Sequence, residues 1–257
     1  MLRGLYGPWV SKAHKALTSP PIVGKSPEVT EKMRGKHPTG RNPTDLPTPT
    51  AGKCSTFEPA DTWEAARSFS RGSAGGLTGL RPDHIKQALN CPVARIAPLL
   101  TQVVDIYAQG RAPKTAQPWL AGARLSAFKK KDTDVRPIAC GDTIRRLVGK
   151  ALLARNKSTI QRTLLKGKQV GVAVKGGAEA MTSVVANFAK REAGNYAVIL
   201  KIDFANAFNS VDRGALLTAA EKRTPGLYAF AKWCYETPTN LLFDDECISS
   251  SCGVQQG

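Results

Sequence analysis

The sequence predicts an α+β fold, and three observations carry that prediction. Apolar residues recur at helical spacing in several windows, most clearly Ile144, Leu147, Val148, Ala151 and Leu152. Short β-rich runs flanked by turn residues stand apart from them, at Leu125–Phe128, Val135–Ile138 and Ala197–Ile202. Residues 1–56 show neither period; they are rich in Pro, Gly, Thr and basic side chains and read as a disordered basic arm. Folding is therefore expected to begin near Phe57.

From Phe57 onward the elements follow in order. Asp61 is a candidate cap for a helix carrying Trp63, Ala66 and Phe69. The glycine-dense run Arg71–Leu80 follows, and it lacks the Lys-Ser/Thr ending of a phosphate-cradling P-loop. Pro82 and Asp83 open a helix with Ile85 and Leu89. A further helix, about 93–108, lines up Ile96, Leu99, Leu100, Val103, Val104 and Tyr107. Leu125–Ile138 reads as a hairpin with a charged tip at Lys131–Asp134. Asp142 caps the helix bearing the Ile144–Leu152 stripe, whose remaining surface is basic. Gln169, Gly171 and Gly177 precede a helix ending near Gly194, the two glycines suiting close backbone approach. Asp212 caps a helix over Arg213–Arg223. Leu241–Phe243 and Cys247–Ser250 flank Asp244-Asp245-Glu246 as strands flank a turn.

Charge narrows the function. The chain of 257 residues carries 37 Lys and Arg against 20 Asp and Glu, a net charge of +17. Arg111–Lys175 alone holds sixteen basic residues and three acids. A polyanionic partner, nucleic acid above all, is the natural inference. No apolar run approaches the roughly 18–20 residues needed to cross a bilayer, so no membrane role is expected. The six cysteines form no C-x-x-C pair and sit with no histidine cluster, which argues against a zinc site and for free thiols.

The most informative stretch is Ala197–Arg213, AVILKIDFANAFNSVDR. Its apolar run reads as a buried strand ending on Asp203, where a fixed backbone holds a carboxylate beside a ligand. Small Ala205 and Ala207 then lead to the large Phe208. This stretch resembles motif A of the reverse transcriptase palm, and Cys252–Gly257 resembles the start of motif B. Over roughly Phe57–Gly257 the chain resembles the reverse transcriptases of non-LTR (LINE-type) retrotransposons.

That resemblance implies a right-hand polymerase with fingers and an incomplete palm: a helical extension over 57–110, fingers over 111–195 and a partial palm over 196–257. It implies an RNA template, a DNA primer and deoxynucleoside triphosphates as partners, with action in the nucleus. Nucleotidyl transfer uses two divalent cations about 3.5–4 Å apart, here Mg²⁺ with Mn²⁺ as a substitute. Asp203 would be the catalytic carboxylate and metal ligand, joined by the backbone carbonyl of Phe204. Lys130 and Arg136 would meet the triphosphate, with Lys129 or Lys131 as substitutes for the lysine. Asn206 and Ala207 would offer backbone N–H groups, and Phe208 would exclude a 2′-hydroxyl. Gln256 and Gly257 would support the nucleotide. Lys129, Lys131, Arg145, Arg146 and Lys150, with Gln169 and Gly171, would lie along the nucleic acid. The family's second carboxylate pair follows motif B; Asp244-Asp245 precedes it and reads as a turn. The chain alone is therefore expected to be inactive as a polymerase. The alternatives are a degenerate, non-catalytic nucleic-acid-binding remnant, an intron maturase-like polymerase, and an RNA-directed RNA polymerase, against which Phe208 argues.

Overall fold

A sheet of five strands and a helical layer each bury their own core, and the candidate cleft lies on the sheet side. The structure is a computed structural model describing residues 17–91, 95–130, 133–172, 174–194 and 196–256. The fold is α+β, with a small mixed sheet.

The hairpin forms as its alternation demands. β2 (Ala123–Lys129) and β3 (Val135–Gly141) pair antiparallel from Ala123↔Gly141 to Lys129↔Val135. Lys130 N–H closes the tip on Asp134 O at 3.0 Å. Alternate residues Ala123, Leu125 and Ala127 face inward with Val135 and Ala139, as a half-buried antiparallel pair requires. The opposite edge of β2 is shared. β1 (Ile22–Val23) pairs at Phe128 and Ala127, and β4 (Thr239–Phe243) pairs parallel at Ala123 and Arg124. β5 (Glu246–Ser250) completes a hairpin with β4 around Asp244-Asp245, Asp244 having φ 52°. These acids are turn residues, as the flanking strands predict.

The N-terminal arm corrects the sequence reading. Ser26-Pro27-Glu28 starts α1 (Pro27–Gly35), with Ser26 Oγ accepting the Val29 N–H at 3.2 Å. Val29 and Met33, one turn apart, enter the sheet's core, and Met33 is fully buried. Residues 22–35 are therefore part of the folded domain rather than linker. The mostly polar composition hid an i, i+4 pair that suffices to dock a short helix. The basic residues upstream, Arg3, Lys12 and Lys15, lie outside the described residues.

The second core is helical. α2 (Pro59–Arg67) packs on α4 (Ile96–Ala108) and α6 (Thr143–Arg155), with α3 (Pro82–Asn90) and α11 (Pro225–Tyr235) beside them. Leu147, Val148, Ala151 and Leu152 are buried at its centre, and Asp142 Oδ1 accepts the Ile144 N–H at 3.0 Å, both as the sequence predicts. Trp233 donates Nε1–H to Ala112 O at 2.9 Å and meets Tyr107 edge-on at 5.0 Å. Two details differ. The α2 cap is Glu58, with Asp61 returning a bond to the Glu58 N–H. On α4 the inward residues are Thr101, Val104, Tyr107 and Ala108, whereas Leu99 and Val103 face out. Thr101 turns inward because its hydroxyl donates to Thr62 Oγ1 at 2.9 Å.

The larger correction falls on Ala197–Asp203. It pairs with no strand and is exposed: Val198 is 85% and Leu200 79% accessible. Both edges of β2 are taken. β3's outer side receives the C-terminal segment, Ala139 N–H donating to Gln256 O at 2.7 Å. Preceding this run come the short α5 (Gln117–Leu120), α7 (Lys157–Lys166) and α8 (Gly177–Arg191). Close backbone approach holds at Gly177, where a Cβ would sit 1.7 Å from Val170 O, and not at Gly171.

Candidate nucleotide-binding cleft

Four remote segments converge on one cleft of about 300 Å³. The hairpin supplies Lys130 and Arg136, and the end of the exposed run with the residues after it supplies Asp203, Phe204, Asn206, Ala207 and Phe208. Gln256 closes a third side, and Lys36 from the arm adds a cation that the sequence reading missed. Its signal was available: the Ser-Pro-Glu start and the Val29/Met33 pair mark a docked helix ending beside Lys36.

The local geometry explains how the second segment is held. Asn206 adopts a left-handed conformation, φ 53°, tolerable for a short amide side chain. It leads into the short α9 (Ala207–Ser210), and Asn209 Nδ2 donates to Asn206 Oδ1 at 2.8 Å. Asn206 Nδ2 donates to Lys36 O at 2.8 Å, tying this turn to the arm. The motif-B-like segment then fastens onto it: Gly253 N–H donates to Val211 O at 2.9 Å and Val254 N–H to Phe208 O at 2.7 Å. Gly253 has φ 65°, and a Cβ there would lie 2.2 Å from Asn209 C. Only glycine suits that contact.

Two arginines hold the same segment from behind. Arg213 is the first residue of α10 (Arg213–Arg223), which Asp212 caps through the Ala215 N–H at 2.7 Å. Arg213 is 2% exposed and donates to Gly253 O at 2.8 Å and Ser250 Oγ at 2.9 Å. Burial lowers its pKa, opposed by Tyr235, and a guanidinium stays protonated regardless. Arg145 donates to Tyr235 Oη at 2.8 Å and to Gln255 Oε1. Both guanidinium carbons lie 5.3 Å from the Tyr235 ring centroid. Nothing local in the sequence marks Arg213, because its partners come 24–40 residues later.

The remaining expected residues fall elsewhere. Arg146 donates to Ala74 O and Thr143 Oγ1 and lies over Phe69, where Lys150 Nζ also sits 4.8 Å from the ring centroid. The predicted basic face of α6 is thus engaged in clamping Arg145 to Tyr235, and Arg146 and Lys150 to the loop and helix beside Phe69. Lys129 ends β2 outside the cleft lining, its N–H bonded to Pro21 O at 2.9 Å. Gln169 Oε1 accepts the Gly171 N–H at 2.7 Å in a turn after α7, away from the cleft. Lys131 and Gly257 lie outside the described residues.

Charge in the cleft is mostly positive. Lys36, Lys130 and Arg136 face Asp203 among the lining residues. Asp134, on the hairpin tip, binds Lys36 at 2.9 Å and Lys130 at 3.5 Å through the same oxygen. The Lys36 hydrogen bond holds its carboxyl below the usual range. A magnesium site is a different matter. Hard divalent cations take about six oxygen ligands, carboxylates prominent among them. Asp203 is the one acid of the lining, and no group of three metal-ligating side chains occurs among the described residues. The residues described do not make a Mg²⁺ or Mn²⁺ site. All six cysteines are free, and no helix among the described residues is long and apolar enough to cross a membrane. Comparison with protein-family models and with curated protein sequences returned no match.

Proposed function

We propose that this cleft is the incoming-nucleotide side of an RNA-directed DNA polymerase site, of the reverse transcriptase kind found in non-LTR retrotransposons. One observation supports it above others. Lys130, Arg136, Asp203, Phe208 and Gln256, drawn from three separate stretches whose wording resembles that family, line a single cleft. In this reading Lys130 and Arg136 neutralise a triphosphate, and Phe208, 53% exposed, presents its ring to the sugar. RNA template and DNA primer are the macromolecular partners, with the net charge of +17 favouring both.

A second reading has its own support: a nucleotide- and nucleic-acid-binding protein without catalysis. The single lining acid favours it. Isothermal titration with dATP and ATP tests the common ground. Lys130→Ala and Arg136→Ala each lower dATP affinity about tenfold, the equivalent of 1.4 kcal/mol, and Phe208→Ala narrows the preference for dATP over ATP. Absence of saturable dATP binding, or indifference to both cation variants, refutes the cleft assignment. Extension of a primed RNA that Asp203→Ala abolishes favours the polymerase; salt-sensitive RNA binding with no preference for dATP over ATP favours the second reading.

A further inference from the structure

We propose that Lys36, delivered by the N-terminal arm, is a third ligand for a polyphosphate in this cleft, and that Asp134 is an internal anion occupying the lysines until that ligand arrives. The inference rests on the nucleotide reading above and adds a residue from outside the region of resemblance.

The arm is fixed rather than loosely apposed. Met33 and Val29 are seated in the sheet core, Lys32 Nζ donates to Thr133 O at 2.7 Å at the hairpin tip, and Lys36 O accepts from Asn206 at 2.8 Å. These contacts place Lys36 in the lining of the cleft, next to Asn206. There it shares one carboxylate oxygen of Asp134 with Lys130. Two ammonium groups gathered on one oxygen, with Arg136 also in the lining and without an acidic partner among the described residues, form a cation triad opposed by Asp134 among the hairpin's described residues. A triphosphate carries several anionic oxygens and meets all three cations at once. The pairs it displaces are part-exposed: the Lys36 side chain is 28% accessible and that of Asp134 37%. Pairs of that kind contribute little to stability, so exchange of carboxylate for phosphate is easy. Asp134 then prevents mutual repulsion of the lysines in the empty cleft and yields on binding.

The test is titration of the full chain with inorganic triphosphate and with dATP, across a range of salt. Lys36→Ala lowers affinity for both about fivefold to tenfold and reduces the salt dependence, Lys36→Arg retains most of it, and Asp134→Asn raises it severalfold. Lys25→Ala, which breaks the arm's contact with Asp245 at the other hairpin, is the control for a loosened arm and leaves affinity within about twofold. Should Lys130→Ala weaken binding while Lys36→Ala does not, the arm's role is overturned and the cleft assignment stands. Lower affinity in Asp134→Asn overturns the displacement. If the wild-type chain binds neither probe, the nucleotide reading itself fails.

Discussion

Replacing Arg213 by methionine separates the framework of the cleft from its lining. Methionine matches much of the side chain's length and removes the guanidinium, so the acceptors it served remain behind. Gly253 O and Ser250 Oγ lose bonds of 2.8 and 2.9 Å, and Thr237 O and Cys252 O lose longer ones of 3.4 Å. A buried acceptor left unpaired costs about 1–3 kcal/mol. Removing a buried charge recovers part of that, since desolvation of an ion opposes folding. Backbone carbonyls cannot be removed with it, and the net loss is about 2–4 kcal/mol. Urea denaturation followed by tryptophan fluorescence measures it as a lowered midpoint with unchanged slope. Hydrogen exchange localises it, with amides of Val254 and Gly253 exchanging faster than those of β2 and β3. Arg213→Lys, keeping a charge but only a point donor, falls between the two. A midpoint within about 0.5 kcal/mol of wild type, the ordinary range for substitutions away from special features, would refute the claim that Arg213 holds the segment carrying Gln256.

Gly253→Ala forces a side chain into a left-handed backbone, about 1–2 kcal/mol, and drives its Cβ against Asn209; a midpoint loss beyond that conformational cost, with weaker dATP binding, is the expected result. The arm's attachment depends on pH with a defined sign. Asp134 and Asp245 have lowered pKa values through Lys36 and Lys25 respectively, so their contributions are present above the unfolded aspartate range near 3.9 and vanish as pH falls through the folded values. His37, lowered by burial despite its bond to Met33 O, acts in the same direction below about 6.5. Lys25 is raised by Asp245, so its share is lost only as pH climbs beyond the ordinary lysine range. Asp105, raised by burial beside Phe57, titrates with the opposite sign but in the helical core. Exchange protection of α1 therefore weakens below about pH 6 and again at strongly alkaline pH; protection that is flat from pH 3 to 8 would contradict the pairings.

Local signals wrote the parts of the fold whose partners are close in sequence. The β2–β3 hairpin follows from strict alternation around a polar tip, and α6 and α10 begin at Asp142 and Asp212 because each caps its own first turn. Lys130, Arg136, Asp203, Phe208 and Gln256 were singled out by resemblance rather than by composition, and the structure brings them to one cleft. Arg213 was not legible, since its contacts lie more than twenty residues away; for Lys36 the docked helix was legible, but its cleft partners Asp134 and Asn206, far along the chain, were not. The failure at Ala197–Asp203 has the same root. β-branched composition states that a segment is able to pair, whereas whether it does is settled by tertiary contacts the composition does not carry.

That failure bears on what the cleft does. The cationic wall is anchored on a paired hairpin, a docked helix and a segment held by Gly253 and Arg213. Asp203 instead ends an exposed run with no strand partner. Catalytic constellations need their groups held to about 0.5 Å, and the run that ends on Asp203 has no strand pairing to hold it. Recognition of a polyphosphate asks only for the cations. Affinity for inorganic triphosphate should therefore follow Lys36, Lys130 and Arg136, and the loss of Asp203 should leave it unchanged or slightly stronger, because one opposing charge has gone.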